Sequence, residues 1–150
     1  MTIEQKLAEM GITLPVAPKP VAAYVPAVKS GNLIFISGQV PVVDGKLEHK
    51  GLAGKDVSLE KAQEAARLAA INCLAVLKSM ANLDDVVRIV KLTGFVASPA
   101  DFNDQPKVIN GASELLKEVF GAKGEHARAA VGVAALPLGA VVEVEMIVEV

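Results

Sequence analysis

The last ten residues, Val141 to Val150, constrain the fold more than any other stretch. Glu143, Glu145 and Glu149 share one side with Val141 and Ile147, while Val142, Val144, Met146 and Val148 share the other. A period of two is that of a β-strand with one face covered and one face open. Such a strand needs partners in a sheet and an apolar layer over its covered face. Two segments can supply that layer. From Ser58 to about Met80, the residues Leu59, Ala62, Ala66, Ala69, Cys73, Val76, Leu77 and Met80 form a helical stripe whose alanines permit close packing on a sheet. Ser58 can cap this helix, with Glu60 well placed in its first turn. Pro106 suits the first turn of a second helix ending at Gly121. There Val108, Ile109, Ala112, Leu115, Leu116, Val119 and Phe120 line one side, and Asn110 falls off the stripe.

The other strands follow from turn chemistry. Ala22–Val28 and Leu33–Ser37 read as a hairpin around Ser30-Gly31-Asn32, with Pro26 placing the first strand at an edge or a bulge. Val42 to Leu47 reads as a small hairpin on Asp44-Gly45, and His49 to Val57 as a surface loop. Val86–Ala97 is rich in β-branched residues and is expected as a central strand. Two strands from His126 onward are expected to form a hairpin about the turn Leu136–Gly139. At the other end, Thr2 and Gln5 have the capping-box form. They open a short helix with Ile3, Leu7 and Met10 on one face, stopped by Gly11. A helix this short must dock to be stable. Leu14–Pro20 is an extended connector. The order predicts one domain over residues 1–150, an α+β two-layer sandwich. A mixed or antiparallel sheet carries two long helices, and the short N-terminal helix is added to them.

Charge and composition exclude several functions. With 15 basic and 17 acidic residues in 150, no broad nucleic-acid or anionic-membrane footprint is expected. One tyrosine and no tryptophan leave no obvious stacking platform for RNA. The single cysteine, Cys73, lies inside an apolar helical pattern and reads as a buried, inert thiol. With two histidines, His49 and His126, far apart and one cysteine besides, no recognisable zinc-ligand spacing exists. The first ten residues do not resemble a signal peptide, and no apolar run is long enough for a membrane span. A cytoplasmic location is the expectation.

Arg128 is the residue out of place, an arginine on a strand rich in alanine and valine. Alternation puts it on one face with Ala130, Gly132 and Ala134, so small side chains leave room beside a guanidinium that can grip a carboxylate. A structural ion pair explains it equally well, and the residues alone leave both readings open. Glu143 lies near the turn, where partial burial would suit a carboxylate to activating water. Glu145 and Glu149 read as a solvated face, and His126 as a surface histidine. Thr93, on the same strand face as Lys91, is a further candidate for lining a cleft. In a simple hairpin Arg128 would stand opposite about Val148, so Arg128 and Glu143 are not expected to pair within it.

Several of these pieces occur together in one known family. Tyr24-Val25, Ile36-Ser37-Gly38-Gln39-Val40-Pro41, Val108-Ile109-Asn110, Arg128-x-x-Val131-x-Val133-x-x-Leu136-Pro137 and Val142-Glu143-Val144-Glu145 stand in the order seen there. After Pro20 the chain resembles the Rid, or YjgF-type, enamine/imine deaminases, historically called L-PSP endoribonucleases. The resemblance implies a chorismate-mutase-like (bacillus type) fold and a homotrimer with clefts between subunits. It also implies cofactor-independent hydrolysis of 2-imino acids to 2-keto acids and ammonia. By the same resemblance Arg128 would bind the substrate carboxylate and Glu143 would assist the attacking water. Tyr24, Ser37, Gly38, Asn110 and the Ala130 backbone would line the cleft. Ala130 stands where close relatives of the deaminase often carry cysteine. The N-terminal helix and the loop around Lys50–Val57 are extra. A non-catalytic trimer binding small carboxylates is the alternative, and RNA cleavage ranks last.

Overall fold

The computed structural model describes residues 1–17 and 23–150. Its elements are α1 (Ile3–Glu9), β1 (Ala27–Ser30), β2 (Leu33–Gln39), β3 (Val42–Val43), β4 (Lys46–Leu47), α2 (Leu59–Met80), β5 (Arg88–Ala97), α3 (Gln105–Phe120), β6 (Ala127–Val133) and β7 (Val142–Glu149). Five strands form one mixed sheet in the order β1-β2-β7-β5-β6, and β3 with β4 makes a separate two-stranded ribbon. Helices α2 and α3 lie side by side on one face of the large sheet. This is the expected α+β two-layer sandwich.

The alternation of the last strand is realised in full: Val142, Val144, Met146 and Val148 are buried, and Glu143, Glu145, Ile147 and Glu149 are not. Every residue of the predicted α3 stripe is buried. In α2 the buried set widens to Ala65, Ala70, Leu74 and Ala75, because this helix is pinned between the sheet and α3, while Leu59 and Met80 at its ends stay out of the core. Ser58 Oγ accepts the Lys61 N–H, and just beyond the end of α2 the Asn82 Oδ1 accepts the Asp84 N–H to cap a 3-10 turn at Leu83–Asp85. Cys73 is fully buried and its Sγ–H points at the Val144 carbonyl, 3.4 Å away; burial pushes the thiol far above its ordinary pKa.

The two helices approach closely at Gly111, where a Cβ would overlap the backbone carbonyl oxygen of Gln63. Backbone cannot swing aside as a side-chain tip can. The clash in Gly111→Ala therefore outweighs the helix-propensity gain and costs a net of about 2 kcal/mol. Its melting temperature is expected about 4–8 °C below the parent's by calorimetry. An unchanged value would mean that the helices are not in contact there.

Several expectations are corrected. The largest concerns the C-terminal hairpin, because β6 and β7 are not paired. β5 lies between them, parallel to β6 and antiparallel to β7. The reason is α3: a strand, a helix and a strand in succession form a crossover unit that returns β6 parallel to β5. Strand β7 is therefore the middle of the sheet and β5 stands beside it. The 3-10 turn Pro137–Gly139, with Leu138 and Gly139 at positive φ, reverses the chain without joining neighbours.

The first strand is also later and shorter than expected. Its ladder starts at Ala27, after Pro26, which has no N–H to donate, and closes on a two-residue Gly31-Asn32 turn. Tyr24 and Val25 lie before it, while Ala22 and the connector beyond Ala17 fall outside the described residues. The segment His49–Val57 is not a plain surface loop. Gly51 N–H bonds the Gly139 carbonyl, Ala53 N–H bonds the Ala97 carbonyl, and Ala53 and Val57 are buried. The N-terminal helix docks through Leu7, which is in the core, against α3 and the Leu83–Asp85 turn; Ile3 N–H bonds Asp84 Oδ1 at 2.8 Å. Met80, expected on the buried stripe of α2, is 40% exposed, and Phe35 on the open face of the sheet is 42% exposed.

Candidate functional site

The sheet register sorts the predicted site residues onto two faces. Arg128 pairs with Leu92, which pairs in turn with Met146. Both partners are buried beneath the helices, so Arg128 stands on the helical side at the free edge of the sheet. There its guanidinium reaches α3: Nη1 donates to Asn110 Oδ1 at 2.7 Å and to Ser113 Oγ at 3.2 Å. Ala130 follows on the same face beside Gly94, whose lack of a side chain admits Ile109 of α3. Asn110 and Ser113 are three apart on one side of α3, which is why both meet the same arginine. The guanidinium is exposed, and among the described ion pairs Arg128 has no acidic partner.

Glu143 lies on the opposite face. It pairs with Phe95, whose other neighbour is the exposed Val131. The carboxylate rests over Gly38, where any Cβ would overlap Glu143 Oε1. Gly38 belongs to a bulge at which the β2–β7 register shifts between Ile36 and Gln39. The bulge turns Ser37 as well: its Oγ–H donates to the Val25 carbonyl at 3.0 Å and its N–H to the Pro26 carbonyl at 2.8 Å, tethering the segment that carries the exposed Tyr24. Burial, then the nearby Glu145 charge, raises the Glu143 carboxyl above the ordinary range for glutamate. Beside it an open hollow of about 320 Å³ is lined by Phe35, Ser37, Lys91, Thr93, Glu145 and Ile147.

Two groups thus emerge. Arg128, Asn110 and Ala130 form one; Glu143, Gly38, Ser37 and the Tyr24 segment form the other. They do not meet within the chain. Three residues along the strand and two strands across separate Arg128 from Glu143, roughly 14 Å between Cα atoms at ~3.3 Å per residue and ~4.8 Å per strand, with the side chains on opposite faces. The expected separation holds, for a reason other than hairpin register.

Two further residues join the first group: Ser113 on α3, and His126, which is expected from the sequence to be a surface histidine but is half-buried with both ring nitrogens bonded, Nε2 to Ser113 Oγ at 2.9 Å and Nδ1 to the Gly124 carbonyl at 2.7 Å. The i, i+3 spacing of Asn110 and Ser113 was the available signal. Among the described residues no three His, Cys, Asp or Glu side chains cluster to hold a metal ion, and no helix is long and apolar enough to cross a membrane.

The family model for endoribonuclease L-PSP, the YjgF/Rid family, matches residues 14–150. The chain belongs to this family. The matched span starts after α1. Protein TCP17 of Trypanosoma cruzi is 42% identical over 149 residues, 98% of this chain and 93% of that protein. A 2-iminobutanoate/2-iminopropanoate deaminase of Dermatophagoides farinae is 33% identical over 138 residues, 91% of this chain and 93% of that protein. The crystal structure of Atu1372 from Agrobacterium tumefaciens, a protein of unknown function, superposes with a TM-score of 0.93 at 51% identity, over 99% of this chain and 92% of that one. Its coverage takes in α1, so the N-terminal helix of this Rid-family chain has a counterpart in Atu1372.

Proposed function

We propose that this chain hydrolyses small 2-imino or 2-enamino acids of the 2-aminoacrylate type to 2-keto acids and ammonia. Arg128 holds the substrate carboxylate, and Glu143 takes a proton from the attacking water. Water adds to C2 of the imine as the carboxylate of Glu143 accepts its proton. That proton passes to the nitrogen to give the carbinolamine; Glu143 then carries the hydroxyl proton to the same nitrogen as the carbonyl forms, the C–N bond breaks, and ammonia leaves the keto acid. The site lies between subunits of a homotrimer, Arg128 of one chain facing Glu143 of the next, with Tyr24, Ser37, Gly38, Asn110 and the Ala130 backbone as the lining.

One observation carries the reading: an arginine held by Asn110 and a carboxyl raised above the ordinary glutamate range stand on opposite faces of one sheet, an arrangement that a second chain would complete. The open face supports such an assembly, since Val28, Phe35 and Val131 are 52%, 42% and 43% exposed on it. The iminobutanoate deaminase named above agrees with the substrate class.

The test is a coupled assay. A PLP-dependent dehydratase makes 2-aminoacrylate from serine, and pyruvate release is followed with and without this protein at a mass confirmed as trimeric by light scattering. Faster release is expected. An unchanged rate across several amino-acid precursors rules the reading out. Ala130 supplies no titratable side chain and favours, as second reading, a trimer that only binds keto acids. That reading is met by concentration-dependent thermal stabilisation by 2-oxobutanoate without turnover.

A further inference from the structure

The bonds that run from Arg128 into the protein have one direction. The Gly124 carbonyl can only accept, so the His126 ring carries its proton on Nδ1. In the neutral ring Nε2 is then a lone pair, and the Ser113 hydroxyl donates to it. That leaves the serine lone pairs for Arg128 Nη1, which also donates to Asn110. Each group fixes the role of the next: guanidinium to hydroxyl, hydroxyl to imidazole, imidazole to backbone carbonyl. Both hydrogens of Nη1 are used in this way. The fork that remains for a planar anion is the Nε–Nη2 edge, where two parallel hydrogen bonds can form.

Among the described ion pairs no carboxylate lies within 4 Å of the Arg128 guanidinium. The open hollow of about 320 Å³ around the chain of bonds is lined by Ser113, Glu114, Lys117, Gly124, Glu125, His126 and Arg128. Lys117 and Glu125 pair with each other at 3.4 Å. We propose that Ser113 and His126 are positioning residues, which together with Asn110 lock the Arg128 guanidinium so that its Nε–Nη2 edge is presented to the ligand carboxylate. This rests on the reading of Arg128 as the carboxylate holder. A clamp that only ties β6 to α3 would need neither the serine hydroxyl nor an ordered guanidinium.

The experiment reads the guanidinium and the ligand separately, in the full chain. Arginine side-chain ¹⁵N NMR measures rotation and proton exchange at Arg128 in the parent, Ser113→Ala, His126→Phe and Ser113→Thr proteins. Steady-state kinetics with 2-aminoacrylate and calorimetry with 2-oxobutanoate measure KM, kcat and affinity. Loss of either partner is expected to free the guanidinium and to raise KM and Kd about 3- to 10-fold, the worth of one hydrogen bond, with kcat little changed. Ser113→Thr restores both readouts because it keeps the hydroxyl. A guanidinium as ordered in Ser113→Ala as in the parent, with KM and Kd unchanged, overturns the proposal even if the melting temperature falls. If the parent neither binds 2-oxobutanoate nor turns over imine, yet Ser113→Ala still frees the guanidinium, the lock on Arg128 stands, while its presentation to a ligand carboxylate fails together with the deaminase reading.

Discussion

Glu143→Gln is expected to lower kcat by about 10²- to 10⁴-fold, the usual contribution of a positioned general base. Glutamine keeps the size of the side chain over Gly38 but cannot take a proton from water. The pH profile adds a second signature. Burial and Glu145 raise the Glu143 carboxyl, so a base at this position would lose its charge, and the proposed activity with it, at a higher pH than an ordinary glutamate would. The acid limb of kcat/KM should therefore lie above the usual carboxylate range and vanish in Glu143→Gln. Glu145→Gln removes the repelling charge and should move the limb to lower pH without abolishing activity. Stability runs the other way. A carboxyl raised in the folded state stabilises the protein while protonated, below its unfolded pKa, and loses that contribution as pH rises through the folded value. Glu143→Gln should thus melt no lower than the parent at neutral pH. A kcat within about threefold of the parent, against the 10²-fold or more expected of a base, removes Glu143 from the mechanism.

The layers were legible in the sequence because burial imposes a local period. The stripe of α3 and the alternation of β7 name their buried residues almost without error, since each is set by residues a few positions apart. The neighbours of β7 were not legible in the same way. Its alternation says that one face is covered, but is silent on which strand lies beside it, and the short turn at Leu136–Gly139 invited a local hairpin. The crossover through α3 contained the answer, because a helix between two strands places them parallel. Pairing in the sheet then decided where Arg128 stands: with β5 inserted, it registers with Leu92 rather than opposite Val148, and turns toward α3. The same limit hid His126. Its partners come from α3 and from the Gly124 turn, and only the folded chain sets Ser113 beside it. Pro26 is expected to place the first strand at an edge or a bulge, and β1 is an edge strand; Tyr24 nevertheless falls before it, because the ladder begins only after Pro26.

Arg128→Ala tests the other half of the site. A charge-assisted bond to a carboxylate contributes about 1.5–3 kcal/mol, so the variant is expected to raise KM roughly 10- to 150-fold. The carboxylate is common to every 2-imino acid, whereas the side chain is not. The loss should therefore be the same factor for imines derived from serine, threonine and larger precursors. Arg128→Lys keeps a positive charge but replaces the planar fork by a point charge and gives up the shared bonds to Asn110 and Ser113. It should recover only part of the lost affinity. Folding should be nearly untouched, because the guanidinium is exposed and without an acidic partner among the described ion pairs. Surface changes of this kind stay within about 0.5 kcal/mol, or roughly 1–2 °C in melting temperature. A KM that shifts for some side chains and not others would mean that Arg128 touches the variable end of the substrate. A KM within about threefold for all of them, less than the weakest charged hydrogen bond supplies, would leave the carboxylate to another residue. The exposed Lys91 in the hollow on the opposite face would then be the cation to test next.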